Sequence, residues 1–240
     1  MSTEKKVENW YNNFASQQIQ TGITIRHYKI LEYLRLAGLR KSSRVLEIGC
    51  GVGTLTELLS QYITRGSMVA VDISTESVEI ARKRLSKVKN LEFVVSDIYE
   101  FSHSKKFDFI VLPDVLEHVP VEQHRKVFQI LAEHMHEQSL LFIHIPHPKA
   151  LDYIRLHTPE KLQIIDQSLD ASTLIENAYA NKLVLVNYTP TNLHHTVADY
   201  VYMIFRKDYQ VNLIALPQIK IIKAKTISRI KFALSKWTGK

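Results

Sequence analysis

The sequence predicts an α/β fold built on a mostly parallel sheet. Short apolar runs of strand length alternate along the chain with segments whose apolar residues recur at helical spacing. A glycine-rich turn at 49–53 joins the first of these runs to a helix. Acidic residues follow successive runs, as expected where parallel strands end at a shared ligand-binding edge. These observations indicate repeated strand–helix–strand units.

Seven strands follow in order along the chain. Five carry the apolar runs typical of a parallel sheet, at 45–48, 68–72, 91–95, 107–112 and 139–145. The last two predict an antiparallel hairpin that closes the sheet, at 183–188 and 200–205. Helices are predicted around and between the strands, at 23–39, 54–63, 74–85, 120–135 and 172–181.

The composition is that of one α/β domain with a basic tail. The 240 residues are 45% hydrophobic, and the single cysteine, Cys50, excludes an internal disulfide. Residues 211–240 hold seven of the 31 basic residues and no acid, so the other 24 balance the 24 acidic residues. Because the main body is neutral, nucleic acid is a less favoured partner. The polar start and the lack of a membrane-length apolar run predict a cytoplasmic location.

The stretch 45–56 carries the most informative motif. Gly49, Gly51 and Gly53 let the backbone turn sharply and approach a ligand closely. Their spacing matches neither the lysine-containing phosphate loop nor the G-x-G-x-x-G dinucleotide fingerprint. Glu47 would repel a pyrophosphate and suits a ligand with positive charge. The run V-L-E-I-G-C-G-x-G resembles motif I of the class I S-adenosylmethionine-dependent methyltransferases, whose ligand carries a sulfonium and an amino group.

This resemblance implies a seven-stranded, mostly parallel, Rossmann-like methyltransferase sheet with a C-terminal antiparallel hairpin and helices on both faces. It also implies S-adenosylmethionine as cofactor. Asp72 ends the second strand, where an acid can take the ribose hydroxyls, although capping of the next helix is the plainer alternative. The resemblance assigns Asp97 to the adenine amine and Ile98 to the face of the ring. The predicted cofactor-binding residues are Glu47, Gly49, Cys50, Gly51, Gly53, Asp72, Ile73, Asp97, Ile98 and Pro113.

Three ionisable residues follow the fourth strand: Asp114, Glu117 and His118. The stretch is similar to the D/E-x-x-E-H segment of small-molecule O-methyltransferases such as the quinone-biosynthesis enzymes. Two uses are open, either His118 as proton acceptor or the trio as a divalent-metal site with oxygen and imidazole ligands. A divalent metal is therefore open but not required. Helix capping and a satisfied core histidine are the plainer alternatives.

A second histidine, His147, lies in the loop after the fifth strand, at the same edge. Strand alternation makes it a better pocket candidate than His144, which is open to interpretation as a buried, hydrogen-bonded histidine. The chain lacks the Asn/Asp-Pro-Pro-Tyr of exocyclic-amine methylation, and its one cysteine lies in the glycine turn. The favoured acceptor is a small-molecule, sugar or lipid-linked hydroxyl. The predicted catalytic residues are His118, His147 and Asp114.

Three segments are predicted: an N-terminal helical cap at 1–40, a methyltransferase core at 41–208 and a basic amphipathic tail at 209–240. Within the core, 148–169 is interpreted as a long loop that serves as a substrate lid. In the tail, apolar residues recur at helical spacing among basic ones, interrupted by Lys223. This pattern is typical of a helix that binds anionic lipid, so peripheral membrane contact through 217–240 at the cytoplasmic face is open. Docking on the domain, self-association and disorder are open as well.

Two further functions stay open at this stage. The first is an RNA or protein methyltransferase that uses the basic tail as its electrostatic anchor. The second is a non-catalytic S-adenosylmethionine-binding subunit of a larger assembly, which turnover by the purified chain alone would exclude. The glycine turn predicts the cofactor in each case and leaves the acceptor undefined.

Overall fold

The computed structural model describes residues 18–162, 165–210 and 217–238. Seven strands form one sheet: β1 (Arg44–Ile48), β2 (Ser67–Asp72), β3 (Leu91–Val95), β4 (Phe107–Pro113), β5 (Met135–Pro146), β6 (Leu183–Thr191) and β7 (Tyr200–Lys207). Their order across the sheet is β3-β2-β1-β4-β5-β7-β6. The pairs among β1 to β5 are parallel, and β7 runs antiparallel to both β5 and β6. The predicted fold class, including the C-terminal antiparallel hairpin, is confirmed.

Helices of the described residues lie before, between and after these strands: α1 (Ile25–Leu36), α2 (Thr54–Tyr62), α3 (Thr75–Arg84), α4 (His124–Glu133), α5 (Pro148–His157), α6 (Ala171–Ala180) and α7 (Gln218–Thr238). Three short 3-10 turns supplement them, at Leu116–His118, Val121–Gln123 and Pro159–Lys161. Helix α1 ends just before Gly38, whose φ of 104° suits glycine at the end of a helix.

The core lies on both faces of the sheet because alternate strand residues point to opposite sides. On one face, Leu46 of β1 belongs to a cluster with Phe128 of α4 and Leu174 of α6. On the other, Val45 belongs to a cluster with Ile30 of α1 and residues of α2. Full burial of each such side chain stabilises the fold by about 1.5–3 kcal/mol.

The order of the strands reverses its direction between β1 and β4. Strands β1 and β4 are neighbours, but the chain continues from β1 toward β2 and from β4 toward β5, on opposite sides. Open α/β sheets bind their ligands outside the carboxyl ends of the strands at this kind of switch point. The loops after β1 and β4 therefore frame the expected site.

Two expectations about local structure were wrong. Residues 148–169 do not form a plain loop, because α5 and the Pro159–Lys161 turn occupy much of this segment. Proline at the first helical position and a capping residue before it explain the helix. The helix predicted at 120–135 spans only His124–Glu133, since Met135 already pairs with Phe107 and extends β5.

The chain divides into two compact units, residues 1–208 and 209–240. The first holds the sheet, and α7 is the helix of the second. The predicted N-terminal cap lies outside the described residues as far as position 17, and so do the side chains of 235–240, including Trp237. None of the described helices is both long and apolar enough to cross a membrane.

Candidate cofactor and acceptor site

The loop between β1 and α2 is held in place by backbone hydrogen bonds. The N–H groups of Gly49 and Cys50 donate to the carbonyl of Val71 at 2.8 and 3.0 Å. Gly49, Gly51 and Gly53 have φ values of 78°, 50° and 79°, a left-handed conformation that favours glycine. The loop therefore exposes backbone, without side chains, at the carboxyl end of β1.

Two other segments lie directly against this loop. A Cβ atom on Gly49 would be 2.4 Å from Cγ2 of Val115, and one on Gly51 would be 2.7 Å from Oε1 of Gln18. The Gln18 amide oxygen also accepts a hydrogen bond from the N–H of Val52 at 3.4 Å. Residues after β4 and residues before α1 thus border the glycine loop.

Glu47 is fully buried behind the loop. Its Oε2 accepts a hydrogen bond from the Thr56 hydroxyl at 2.7 Å, whereas Oε1 is buried without a partner among the described residues. Burial raises the pKa of Glu47 to about 8. A positive charge brought close to this carboxyl would favour its ionised form.

Asp72, at the end of β2, fixes the loop and the start of α3. Its two carboxylate oxygens accept hydrogen bonds from the N–H groups of Gly51 at 2.7 Å and Ser74 at 2.9 Å. Burial raises its pKa, and these N–H groups act in the opposite direction. Ser74 caps α3 through its own hydroxyl, so Asp72 is not the capping residue. Ile73 beside it is largely exposed.

Asp97 and Ile98, which follow β3, have different environments. Asp97 is half-buried and its Oδ1 accepts a hydrogen bond from the N–H of Tyr99 at 3.0 Å. Ile98 packs into the apolar cluster beneath the sheet and is only 8% exposed. The carbonyl of Asp72 accepts a hydrogen bond from the N–H of Ser96 at 3.0 Å, which ties the ends of β2 and β3 together. The predicted ribose and adenine acids therefore lie at one edge.

Cys50 and Pro113 complete the predicted cofactor set. Cys50 is 5% exposed, and burial raises its thiol pKa well above the usual value. Its backbone forms part of the loop while its side chain belongs to a small cluster with Ala70 and Val78. Pro113 is half-buried at the last position of β4, opposite His144.

Asp114 follows β4 in an unusual backbone conformation, with φ of 54°. Its N–H donates to the carbonyl of His144 at 2.7 Å. Its Oδ2 pairs with the Arg26 guanidinium, and its Oδ1 lies 3.3 Å from Nδ1 of His144. Asp114 therefore links α1, β4 and β5 at the carboxyl edge of the sheet.

Glu117 and His118 lie next to each other but have different partners. Glu117 is 2% exposed, burial raises its pKa to about 8, and its Oε2 is buried without a partner among the described residues. His118 contacts Asp166 at 3.2 Å through Nδ1, while its Nε2 lies 4.0 Å from Glu117 Oε1. Within the described ranges, no group of three or more potential ligands is placed to hold a metal ion. The structure does not bring Asp114, Glu117 and His118 together as a ligand set.

His147 serves as the N-cap of α5. Its Nδ1 accepts a hydrogen bond from the N–H of Lys149 at 3.3 Å, and its own N–H donates to the carbonyl of Asp199 at 2.9 Å. This arrangement gives His147 a structural function. The proposed function as a base remains a prediction.

Sequence reasoning missed several residues that surround Asp114. Arg26 comes from α1, and Tyr200 comes from the first position of β7 and stacks on His144 with ring centroids 4.8 Å apart. His144 itself is fully buried, with Nε2 lacking a partner among the described residues. The position of His144 at the end of an apolar strand was the only available signal. Nothing in the sequence links it to Arg26 or Tyr200.

Comparison with known proteins agrees with this geometry. The family model of a methyltransferase domain matches residues 45–138. Nodulation protein S of Bradyrhizobium diazoefficiens is 29% identical over 119 residues, which are 49% of this chain and 55% of that protein. Malonyl-[acyl-carrier protein] O-methyltransferase 1 of Ilyobacter polytropus is 29% identical over 100 residues, 42% of this chain and 35% of that protein. This chain thus spans from about a third to just over half of the length of these curated relatives.

Solved structures share the fold over most of the chain. The N-methyltransferase NodS from Bradyrhizobium japonicum WM9 has a TM-score of 0.60 at 20% identity, covering 77% of this chain and 95% of that one. NodS was also solved with S-adenosyl-l-homocysteine, with a TM-score of 0.60 at 21% identity over 76% of this chain and 85% of that one. A methyltransferase from Clostridium acetobutylicum ATCC 824 has a TM-score of 0.65 at 15% identity, over 83% and 99% of the two chains.

Proposed function

We propose that the chain is a class I S-adenosylmethionine-dependent methyltransferase, an enzyme that methylates a small molecule. The glycine loop at the carboxyl end of β1 supports this proposal best. It exposes bare backbone at the switch point of the sheet, with Glu47 buried behind it and Asp72 hydrogen-bonded to it.

The residues present fit the cofactor. Glu47 has an unpartnered oxygen in a buried position, which a nearby cationic group would stabilise in its ionised form. Each oxygen of Asp72 accepts one backbone hydrogen bond and keeps capacity for a ribose hydroxyl. Asp97 offers a half-buried carboxylate for the adenine amine. When bound, S-adenosylmethionine supplies a methyl group activated by the sulfonium.

The favoured acceptor is a hydroxyl of a small molecule, a sugar or a lipid-linked compound. The relative from Ilyobacter polytropus is named an O-methyltransferase. A hydroxyl acceptor needs a hydrogen-bond acceptor that takes its proton during the reaction. His118, His147 and Asp114 lie after β4 and β5 and supply such groups. A divalent metal at Asp114, Glu117 and His118 is the less favoured arrangement, given their separate partners.

An amine is the second candidate acceptor. The structural relative NodS is named an N-methyltransferase. Glu117 and Asp166 add acidic groups close to the expected acceptor position, and an acidic environment suits an amine. The two candidates differ in the atom that receives the methyl group.

Calorimetry with S-adenosylhomocysteine tests the cofactor proposal directly. We expect saturable binding at one site per chain, and the absence of binding heat would contradict the assignment. Mass spectrometry of mixtures with S-adenosylmethionine and a defined panel then tests the acceptor. Methyl glucoside and catechol represent hydroxyls, and glucosamine adds an amine. Turnover by the purified chain would exclude a non-catalytic subunit.

We also propose that α7 contacts an anionic membrane surface. The segment 217–238 carries six basic residues and no acid. Its apolar residues are exposed and recur at three- to five-residue spacing, at Ile219, Ile222, Ile227, Ile230 and Leu234. Ile221 and Phe232 fall outside this stripe. Apolar area combined with basic charge suits an interface with anionic lipid.

Vesicle sedimentation tests this contact. Ile227→Glu lies on the stripe and is expected to weaken binding to phosphatidylserine vesicles, while Ile221→Glu lies off the stripe and serves as control. Equal effects of the two variants would contradict the proposal. Salt-sensitive binding to RNA, without binding to vesicles, would instead favour the RNA methyltransferase alternative.

A further inference from the structure

Two buried polar atoms at the carboxyl ends of β4 and β5 have no partner among the described residues. They are Nε2 of His144 and Oε2 of Glu117, on side chains that are 0% and 2% exposed. Buried polar atoms in folded proteins are nearly always hydrogen-bonded. Such atoms at a ligand edge are therefore candidates for contacts with a bound molecule.

The surroundings of His144 fix which nitrogen carries its proton. Nδ1 lies 3.3 Å from Oδ1 of Asp114, and an ionised carboxylate only accepts hydrogen bonds. Arg26 pairs with the other oxygen of the same carboxyl group. Nδ1 of His144 therefore carries the hydrogen and donates it to Asp114. Nε2 is left with a free lone pair.

The backbone and a neighbouring ring hold this pair in position. Asp114 has a left-handed backbone, and its N–H donates to the carbonyl of His144 at 2.7 Å. Left-handed residues other than glycine are uncommon and cluster at functional sites. The imidazole of His144 stacks on Tyr200 with an interplanar angle of 20°. The stacking and the contact with Asp114 therefore hold the ring in the orientation that keeps Nδ1 beside the carboxyl group.

The pair also lies close to the glycine loop. Val115 follows Asp114 in the chain, and its Cγ2 is the atom that a Cβ on Gly49 would meet. His144 is thus connected to the glycine loop through its hydrogen bond with Asp114 and the contact of the next residue, Val115, with Gly49. His118 and His147 are partly exposed, so water can satisfy their free nitrogens. The buried Nε2 of His144 has no such alternative.

Resting on the proposed function, we propose that His144 is the residue that receives the proton of an acceptor hydroxyl, with Asp114 as its positioning residue. The acceptor oxygen bonds to the methyl carbon, the carbon–sulfur bond breaks with its electron pair left on sulfur, and the hydroxyl proton passes to Nε2. The imidazolium that results is paired with Asp114 and later returns its proton to water. Glu117 Oε2 offers a second contact to a hydroxyl-bearing molecule.

The charges around His144 agree with a neutral imidazole before reaction. Burial, and then the positive charge of Arg26, lower the pKa of His144 to about 3, while Asp199 acts in the opposite direction. His27 also faces the ring and has its own pKa lowered to about 4, chiefly by burial. A weak base suffices here because an oxygen that gains a methyl group becomes strongly acidic. The site therefore favours an acceptor without negative charge.

Nitrogen-15 NMR of the imidazole rings tests this arrangement without turnover. In the complex with S-adenosylhomocysteine, we expect His144 to carry its proton on Nδ1, and Asp114→Asn to shift part of the population to the other tautomer. Methyl glucoside or catechol at saturating concentration is expected to move the Nε2 resonance. A proton on Nε2 in the wild-type complex would overturn the proposal. This measurement also decides the question if no probe is methylated.

Kinetics of His144→Asn supply the second test. Asparagine keeps a donor near the Nδ1 position and removes Nε2, so kcat with a hydroxyl probe should fall by about 10²–10⁴-fold. Affinity for S-adenosylhomocysteine should stay within about twofold, because the cofactor contacts are elsewhere. The control is His136→Asn, since His136 also pairs with an aspartate, Asp108, at 2.9 Å but through Nε2 and between the opposite ends of the same two strands.

The outcomes distinguish failure of the proposed function from failure of the His144 proposal. Absence of cofactor binding by the wild-type chain would contradict the proposed function itself. Normal cofactor binding, with equal kcat losses in His144→Asn and His136→Asn, would overturn only the function of His144. Methylation confined to the nitrogen of glucosamine, with kcat of His144→Asn within about threefold of wild type, would overturn it as well, since a neutral amine needs no base for attack. If His144→Asn does not fold, the NMR measurement decides.

Discussion

Replacing Gly49 by alanine is the sharpest test of the site architecture. Gly49 has φ of 78°, and an added Cβ would be 2.4 Å from Cγ2 of Val115. The substitution thus combines two costs, a left-handed alanine and a steric clash with the segment after β4. Both occur where the chain borders the expected cofactor.

The structure also allows the two costs to be separated. A left-handed residue with a Cβ costs about 1–2 kcal/mol. An overpacked contact in a well-packed interior typically adds about 1–3 kcal/mol. We therefore expect Gly49→Ala to lower the free energy of unfolding by about 2–5 kcal/mol. Gly22 has φ of 60° and nothing within 4 Å of an added Cβ, so Gly22→Ala should show only the first cost.

Urea denaturation followed by circular dichroism measures both variants, and calorimetry with S-adenosylhomocysteine measures the site. Val115→Ala removes the atom that clashes, so the double variant should recover most of the difference between Gly49→Ala and Gly22→Ala. Cofactor affinity should fall in Gly49→Ala and stay unchanged in Gly22→Ala. Equal stability losses in the two glycine variants, without rescue by Val115→Ala, would refute the close approach of the two loops.

Asp72→Ala should weaken S-adenosylhomocysteine binding by about 1–3 kcal/mol in calorimetry, because a charged hydrogen-bond acceptor is lost; unchanged affinity would contradict its ribose assignment. Glu47 has a folded pKa of about 8 against an ordinary value of 4.5, so the folded state binds more protons between these pH values and its stability falls as pH rises through that window. Glu47→Gln should flatten this decline in urea titrations at several pH values, and it should abolish any proton release that buffer-dependent calorimetry detects on ligand binding. His147→Ala removes the cap of α5 and should cost about 0.5–2 kcal/mol of stability in urea denaturation, with kcat retained if His147 is not the base. Treatment with EDTA should leave turnover unchanged, because the Asp114 carboxylate pairs with Arg26 and His144; loss of activity restored by Mg²⁺ would contradict this.

The sheet and the glycine loop could be predicted because their signals are local. Apolar runs of strand length, the three glycines and Asp72 at a strand end are all readable within short windows of sequence. The antiparallel hairpin needed only two late strands, and the structure confirms it. Such features depend on backbone conformation and burial, which adjacent residues largely determine.

Helix α5 was missed for a physical reason. Only Leu151 is buried along its length, so the helix has little apolar periodicity to detect. The signal was instead at its start, where Pro148 fits the first helical position after the capping residue His147. Loop length alone was the wrong criterion for 148–169.

The environment of His144 could not be predicted because its neighbours are distant in sequence. Tyr200 reaches it through the antiparallel register that sets Pro146 of β5 opposite Tyr200 of β7. Arg26 reaches Asp114 from a helix that precedes the first strand. Long-range pairing of this kind depends on the assembled fold and leaves no short motif in the chain.

The antiparallel direction of β7 has a consequence for how this protein can diversify. The strand begins, rather than ends, at the carboxyl edge of β5, so its first residue Tyr200 borders His144 while the methyltransferase-domain match stops at residue 138. Tyr200, which packs beside His144, therefore lies far downstream of the glycine loop in the sequence. Under the proposed function, changes around the start of β7 would alter acceptor selectivity while the glycine loop stays unchanged.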